Sequence, residues 1–277
     1  MTVDGSFRVA CLQMQTVNDL AANLESVKSM SLAAAGGGAK LVLMPEYALM
    51  MDGSGRIMRE RALDADGGPV LAELRALAQT LSVWLLVGSL TLKTATNRIA
   101  NRSLLIAADG VVIATYDKIH MFDVTLPDGK VIKESSAYCP GNSAVIADTP
   151  WGRMGLTICY DLRFPQLYRM LAQAGAQYLT VPSSFQRATG KDHWHALLQA
   201  RAIENACFVF APAMCGEHPG NRSSYGHSLI VDPWGKILAD GGEAPGIVYA
   251  DIDPARVQKV RSMLPCLTHD VEFAAPG

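Results

Sequence analysis

The sequence predicts an α/β fold in which the sheets are mixed. Apolar runs of strand length alternate with segments of helical periodicity, which is the pattern of α/β proteins. Turn signals such as Asp109-Gly110 separate further strand pairs, so some neighbouring strands should be antiparallel. The 277 residues are 49% hydrophobic and contain no linker rich in Pro, Gly or Ser. We therefore expect residues 1–277 to form one domain with a sizeable core.

The first half of the chain begins with a predicted strand from Phe7 to Met14. Asn18 or Asp19 can cap the helix that follows, and Gly36-Gly37-Gly38 can end it. The next predicted elements are a strand at Lys40–Met44, an amphipathic helix at Pro69–Leu81, a strand at Val83–Leu90 and hairpin strands at Ser103–Ala107 and Val111–Tyr116. A long polar loop is expected from Asp117 to Asn142.

The second half repeats this alternation. Its predicted elements are strands at Ser143–Ala147 and Gly155–Cys159, a helix at Gln166–Ala174, a strand at Gln177–Pro182, a helix at His193–Asn205, strands at Cys207–Met214, His227–Val231, Lys236–Ala239 and Gly246–Ile252, and a helix at Pro254–Met263. An apolar strand ends at Pro45-Glu46 in the first half, and another ends at Pro182-Ser183 in the second. This echo suits two layered sheets related by pseudo-symmetry.

Charge and cysteine usage narrow the class of protein. The formal net charge is −2 with no long run of like charge, which argues against nucleic acid or an anionic membrane as a partner. The apolar stretches are too short to span a bilayer, and no secretion signal is evident. The six cysteines form no zinc-finger spacing, so we expect no structural zinc site. In a chain of this size without a secretion signal, we expect reduced thiols and a cytoplasmic location.

Cys159 is the first candidate catalytic residue. It ends the apolar run Gly155–Ile158, and a helical pattern follows it. Open α/β folds place their chemistry at such strand-to-helix corners, where a helix N-terminus also favours a thiolate. A lone Cys in an apolar run is otherwise an ordinary core residue.

Three other side chains could act with this thiol. Glu46 ends the apolar run Lys40–Pro45, so it would lie at a sheet edge in a partly dry site, where a carboxylate suits a general base. Lys118 follows a hairpin strand and is either a surface charge or a group that stabilises an oxyanion. His120 is a candidate base, but we interpret it as a structural hydrogen-bonding group. Glu134 lies in the polar loop and has no distinguishing chemistry of its own.

Taken together, the motifs resemble those of the nitrilase, or carbon–nitrogen hydrolase, superfamily over essentially the whole chain. In chain order they are Pro45-Glu46, Tyr116 to Asp123, Glu134-Ser135 with Pro140-Gly141, Gly155 to Pro165, Pro182 to Phe185, Thr189-Gly190 with His193-Trp194, Arg201 to Asn205, and Tyr225 to Gly235. The resemblance implies a four-layer α-β-β-α sandwich and at least a homodimer, packed through helices near the one after Cys159.

The resemblance also implies a catalytic triad of Glu46, Lys118 and Cys159, with Glu134 beside the lysine. The backbone N–H of Tyr160 would share the oxyanion with Lys118. Such an enzyme hydrolyses an amide through a thioester and needs no metal or organic cofactor. The two carboxylates would then differ in their tasks, since one titrates and the other stays charged.

The segments Thr189–Glu204 and Ser224–Gly235 look most like amidases that act on deaminated glutathione, and next most like ω-amidases that act on α-ketoglutaramate. The best interpretation is therefore an amidase that converts a small carboxylate-bearing amide to a carboxylate and ammonia. An N-carbamoyl or aliphatic amide hydrolase, a redox-sensing thiol protein and an inactive scaffold homologue are the alternatives. The pair Gln186-Arg187 departs from the small or uncharged residues expected after Phe185.

Several side chains are candidates for binding the substrate. Arginine forks suit carboxylates, so the candidate anchors are Arg163, Arg187, Lys191 and Arg222. We favour Arg163 and Arg187, and we interpret Lys191 and Arg222 as surface or structural ion pairs. The candidate walls of the pocket are Tyr47, Phe185, His193 and Trp194. Trp194 could equally pack its helix against the sheet.

Overall fold

Two six-stranded sheets form the centre of the computed structural model, which describes residues 5–126, 129–220 and 222–274. The elements in chain order are β1 (Phe7–Gln13), α1 (Leu20–Gly36), β2 (Ala39–Leu43), α2 (Gly55–Glu60), α3 (Gly68–Leu81), β3 (Trp84–Lys93), β4 (Ile99–Ile106), β5 (Val112–Asp117), β6 (Asp123–Thr125), β7 (Val131–Lys133), β8 (Val145–Thr149), β9 (Gly152–Leu156), α4 (Pro165–Gln173), β10 (Tyr178–Thr180), α5 (Arg187–Asn205), β11 (Phe208–Ala211), β12 (Cys215–His218), β13 (Arg222–Tyr225), β14 (Leu229–Val231), β15 (Ile237–Asp240), β16 (Gly246–Ile252) and α6 (Ala255–Met263). Short 3₁₀ helices cover Glu134–Ser136, Cys159–Arg163 and Cys266–Thr268.

The two sheets share one order of strand pairings. The first sheet runs β16-β1-β2-β3-β4-β5, and the second runs β8-β9-β10-β11-β14-β15. In each sheet the second, third and fourth strands are parallel to one another, and the remaining pairs are antiparallel. Strands β2 and β10 therefore occupy equivalent positions, which agrees with the echo between Pro45-Glu46 and Pro182-Ser183.

Side-chain alternation along the strands builds the layers. In β1, Val9 and Cys11 belong to the core between the sheets, whereas Ala10 and Leu12 face the core shared with α1 and α3. Helices α4 and α5 cover the other sheet with side chains such as Leu171. The four-layer α-β-β-α arrangement with mixed sheets is thus confirmed. Within the described ranges, we find no helix with the length and hydropathy needed to cross a membrane.

The predicted elements differ from the observed ones mainly beside the active site. The loop predicted at Asp117–Asn142 contains the β6–β7 hairpin, whose three-residue strands are too short to show a period. Helix α5 begins at Arg187 rather than His193, and its first turn was not predicted because Thr189 and Gly190 are weak helix formers. The elements α2, β12 and β13 are short and were not predicted.

Candidate active site

Cys159 occupies a strained turn directly after β9. Its φ of +48° is uncommon for a residue with a side chain and costs about 1–3 kcal/mol. The backbone holds it there: the Cys159 N–H donates to the Pro182 carbonyl at 3.0 Å, and the Ile158 N–H donates to Asp161 Oδ2 at 2.9 Å. The turn directs the thiol into a pocket of about 440 Å³.

Asp161 connects this turn to the other sheet. It is fully buried and accepts hydrogen bonds from the Tyr116 hydroxyl at 2.7 Å and the His120 N–H at 3.0 Å. His120 Nδ1 lies 2.7 Å from the same carboxylate, and its ring stacks on Phe164 with centroids 3.5 Å apart. His120 thus orders the turn, which fits the structural role that we preferred for it.

Lys118 lies between two buried carboxylates. Its Nζ is 3.0 Å from Glu46 Oε1 and 2.9 Å from each carboxylate oxygen of Glu134. Burial alone lowers the pKa of Lys118, but Glu134 and then Glu46 outweigh it, so the net pKa is well above its usual value. Lys118 is therefore a permanent, fixed cation in the pocket that Cys159 lines.

Further hydrogen bonds fix the orientation of the Glu46 carboxylate. Its Oε1 accepts from Asn101 Nδ2 at 2.9 Å, and its Oε2 accepts from the Ser184 N–H at 2.9 Å. Asn101 also donates to the Tyr47 hydroxyl at 3.1 Å, and that hydroxyl donates to Glu134 at 2.9 Å. Sequence reasoning missed Asn101, although a buried amide in the interior of a strand is the kind of signal that could have identified it.

The Cys159 thiol is protonated at rest. Burial raises its pKa well above the usual value, Glu46 raises it further, and Lys118 lowers it only in part. The sequence had suggested a thiolate favoured by a helix N-terminus, but α4 begins only at Pro165. A base must therefore remove this proton in any reaction of the thiol, and Glu46 is the carboxylate whose charge raises the pKa of the thiol most.

Gly88 allows the two sheets to meet beside these groups. A Cβ at this position would overlap the Met44 carbonyl oxygen and lie 2.6 Å from Pro182 Cβ and from the Pro45 carbonyl carbon. The ends of β2 and β10 thus approach each other over a residue that has no side chain. The site is assembled at this junction, with Glu46 on one side and Ser184 on the other.

The pocket brings together all four predicted catalytic residues and Tyr160. Its lining consists of Glu46, Tyr47, Lys118, Phe122, Ile132, Glu134, Cys159, Tyr160, Ser184, Phe185, Gln186, Thr189 and Arg222. Of the predicted substrate-binding residues, Tyr47 and Phe185 belong to this lining. Arg222, which we had interpreted as a surface or structural ion pair, belongs to it too.

The other predicted substrate-binding residues lie behind the wall or at the surface. Arg163 stacks over the Phe185 ring at 5.3 Å and lies 3.3 Å from His193 Nδ1. Trp194 is fully buried and packs against Phe185 with centroids 4.9 Å apart. Arg187 forms an exposed ion pair of 3.0 Å with Glu243. None of these four side chains belongs to the lining of the pocket: Arg163, His193 and Trp194 pack behind it, and Arg187 lies at the surface.

One group of side chains has the composition of a metal site, but it lies away from Cys159. His195 Nε2 and His227 Nδ1 lie 3.0 and 2.9 Å from the two carboxylate oxygens of Asp240. Each imidazole is thus already hydrogen-bonded to the carboxylate, and Asp240 accepts a further hydrogen bond from the Gly242 N–H at 2.9 Å. This arrangement is self-sufficient as a hydrogen-bonded link between α5 and β15.

The chain is similar to known carbon–nitrogen hydrolases in both sequence and structure. The family model described as carbon-nitrogen hydrolase matches residues 8–262. A protein of Synechocystis named deaminated glutathione amidase is 41% identical over 96% of this chain and 98% of its own length. The crystal structure of Saccharomyces cerevisiae Nit3, a member of branch 10 of the nitrilase superfamily, superposes with a TM-score of 0.86 at 31% identity over 95% of this chain and 96% of that one.

The crystal structure of the Caenorhabditis elegans NitFhit protein is also similar. Its TM-score is 0.90 at 38% identity, and the match covers 96% of this chain. This chain spans 65% of that longer chain. The likeness therefore concerns only the matched part of the nematode protein.

Proposed function

Since this chain belongs to the carbon–nitrogen hydrolase family and is a hydrolase of carbon–nitrogen bonds other than peptide bonds, we propose that it is a cysteine-dependent amidase of deaminated glutathione. The observation that carries the proposal is the buried cluster around Lys118. Two carboxylates, one fixed ammonium and one protonated thiol line the same small pocket. The substrate is suggested by the similar proteins that are named for it.

The first half-reaction transfers the acyl group to sulfur. Glu46 takes the Cys159 proton as the sulfur attacks the amide carbonyl carbon, and an S–C bond forms. Glu46 then passes this proton to the nitrogen, the C–N bond breaks, and the nitrogen leaves as an amine or, from a primary amide, as ammonia. A thioester on Cys159 remains.

Lys118 stabilises the oxyanion of this step together with the Tyr160 N–H, which lies in the first turn of a 3₁₀ helix where N–H groups lack a partner inside the helix. At rest the hydrogen bonds of the ammonium go to Glu46 and Glu134. When Glu46 accepts the Cys159 proton, it becomes neutral and attracts Lys118 less. One N–H of Lys118 can then turn towards the oxyanion as its charge develops.

The second half-reaction hydrolyses the thioester. Glu46 takes a proton from a water molecule while the water oxygen bonds to the acyl carbon. The C–S bond then breaks, the sulfur regains its proton from Glu46, and the carboxylic acid that forms releases its remaining proton to solvent to give the carboxylate product. Glu134 takes no part in these proton transfers, because Lys118, the Tyr47 hydroxyl and the Phe122 N–H at 2.6 Å all donate to it.

The decisive experiment measures amine and ammonia release by the wild type and by Cys159→Ala. The panel contains deaminated glutathione, α-ketoglutaramate, glutamine, an N-carbamoyl amino acid and a nitrile. We expect deaminated glutathione to be the best substrate, with turnover abolished in the variant and its melting temperature preserved. Turnover confined to α-ketoglutaramate, or to the carbamoyl compound, would contradict the substrate assignment. Turnover that survives Cys159→Ala would contradict the nucleophile.

We also propose one domain over residues 1–277, a cytoplasmic location and a homodimer. The single domain is supported by the pairing of β16 with β1, which joins the two ends of the chain. The six cysteines are free, which suits a reducing compartment. Met170 on α4 and Ile203 on α5 are 59% and 53% exposed, so this face offers apolar surface to a second copy. Light scattering after gel filtration gives the mass that tests the dimer.

A further inference from the structure

A second cleft continues from the nucleophile pocket. It encloses about 850 Å³ and shares Tyr47, Ile132, Glu134 and Arg222 with the lining of the pocket. Its other walls come from the segment after Tyr47, from the β6–β7 hairpin and from the turn before β13. The pocket that holds Cys159 is smaller, so the cleft gives room for a substrate longer than a simple amide.

Arg222 lies at the junction of the pocket and the cleft. It is the first residue of β13, it is half-buried, and it lines both spaces. Over the residues that the structure describes, its guanidinium forms no ion pair and no side-chain hydrogen bond. Arg187, the anchor that we favoured from the sequence, is by contrast already paired with Glu243. A half-buried arginine fork without a carboxylate partner is suited to binding one from a ligand.

A close backbone contact positions Arg222. The turn between β12 and β13 packs on the loop after Tyr47, and a Cβ on Gly53 would lie 2.7 Å from the Gly220 carbonyl oxygen. Gly220 has a φ of +77°, which a residue with a side chain rarely adopts. The turn is thereby fixed against the segment that follows the catalytic Glu46.

The charges around the cleft favour an anion. Two carboxylates line it, but both are already engaged: Glu134 accepts from Lys118, and Asp52 accepts from the Ser54 N–H at 2.7 Å and from Asn18 at 3.3 Å. Besides Arg222, the lining includes the two cations Lys130 and Lys133. The positive charges therefore outnumber the negative ones.

We propose that the cleft binds the leaving half of the substrate and that Arg222 recognises a carboxylate on it. Glu46 must protonate the leaving nitrogen, so this half lies on the side of Glu46, and the next residue, Tyr47, walls both spaces. The acyl half then lies in the part of the pocket that the cleft does not share, which includes Phe185 and Thr189. The inference rests on the proposed function and deepens it, because it assigns Arg222 to the terminal carboxylate on the amine half of the N-substituted amide.

The test uses two peptide substrates that share an acyl half. One is deaminated glutathione, and the other is the same compound with its terminal carboxylate converted to a carboxamide. We expect the wild type to prefer the free carboxylate by about 10- to 100-fold in kcat/KM, the range of a charge-assisted hydrogen bond. Arg222→Gln should reduce this preference to nearly one. The matched control, Arg153→Gln, alters an exposed arginine paired with Asp148 and should keep the full preference.

The primary amide α-ketoglutaramate has the same acyl half but no carboxylate on its leaving group. It therefore shows whether Arg222 binds the acyl half or the leaving half of the substrate. An equal loss on this compound and on deaminated glutathione would overturn the proposal, because Arg222 would then bind the acyl half. A preference that survives Arg222→Gln would overturn it as well.

A binding measurement separates this inference from the proposed function. Calorimetry would follow deaminated glutathione binding to Cys159→Ala protein, with and without Arg222→Gln. A Kd that rises about 10- to 100-fold with the arginine replaced supports the cleft, even if the wild type proved not to turn the compound over. An unchanged Kd would contradict the cleft while leaving the amidase proposal intact.

Discussion

The two sheets share one order of strand pairings, yet they contribute different chemistry to the site. The first sheet supplies charged and amide side chains: Glu46 after β2, Asn101 in β4 and Lys118 after β5. The second sheet supplies the thiol of Cys159 after β9 and the backbone N–H of Ser184 after β10. The equivalent ends of β2 and β10 thus meet at one junction, and the two sheets contribute different chemical groups to the site there.

In the proposed mechanism, this division makes the reaction depend on the distance between the sheets. A proton passes there from Cys159 on one sheet to Glu46 on the other, and the Ser184 N–H orients Glu46 across the same gap. The contact at Gly88 and the hydrogen bond between Tyr116 and Asp161 hold the sheets at this spacing. Substitutions on either side of the junction, and at the junction itself, test this dependence.

Glu46→Gln should have the largest effect, because it removes the proton acceptor of the first sheet. Glutamine keeps the shape of the side chain, but it cannot take the Cys159 proton. We expect kcat/KM to fall about 10²- to 10⁴-fold, the usual contribution of a general base. Steady-state kinetics on deaminated glutathione would measure it, with Glu243→Gln at an exposed ion pair as the matched control. A loss below tenfold would contradict the assignment of the base.

Glu134→Gln should have a smaller effect on the same sheet. The substitution removes one of the two charges that hold Lys118 and raise its pKa, while the bulk of the side chain remains. The loss of a charged hydrogen bond of about 1.5–3 kcal/mol should lower kcat about 10- to 100-fold. Comparing kcat with KM identifies the role, since KM should change little. A loss as large as that of Glu46→Gln would show that the two carboxylates do not have distinct tasks.

Gly88→Ala alters the junction without changing a functional group. The added methyl overlaps the Met44 carbonyl and approaches Pro182, so the strand ends must separate. Overpacking of this kind costs about 1–3 kcal/mol of unfolding free energy, and activity should fall with it. Urea denaturation gives the change in stability. The matched control is Gly246→Ala, where a new Cβ would meet no atom within 4 Å. An unchanged stability in Gly88→Ala would show that the junction can relax.

Part of this site could be predicted from the sequence, because two of its residues end strands. Glu46 and Cys159 each follow an apolar run, and in the structure both lie at sheet ends that face one pocket. Lys118 and Glu134 have no such local signal. Their pairing depends on how the β5 end and the β6–β7 hairpin fold together, so only the resemblance to a family identified them.

The substrate contacts were harder to predict for a related reason. Whether an arginine is available to a ligand depends on its partner in space, and sequence proximity to Cys159 favoured Arg163 over Arg222. The structure places Arg163 against Phe185 and His193, and it places Arg222 without a carboxylate partner in the described part of the chain. Arg187 was also difficult to place from the sequence, because its position depends on where α5 begins. It is the first residue of α5, and its guanidinium donates to Glu243 rather than lining the pocket.

The smallest expected effect concerns the pH dependence of Cys159 alkylation. It tests whether Glu46 raises the pKa of the thiol. Because burial and Glu46 raise the pKa of this thiol, the thiolate fraction should rise about tenfold per pH unit from pH 7 to 9 without levelling. In Glu46→Gln one cause of the raised pKa is gone, so iodoacetamide should react faster at pH 7 although turnover is lost.

Mass spectrometry of the peptide that contains Cys159 follows this reaction separately from the other five cysteines. A plateau below pH 8 in the wild type would mean that the thiolate exists before substrate binds, and Glu46 would then be needed only for the leaving nitrogen. Slower alkylation in Glu46→Gln would mean that this carboxylate does not raise the pKa of the thiol. A faster reaction in an inactive variant would instead tie the lost activity to proton transfer between the sheets rather than to a damaged nucleophile.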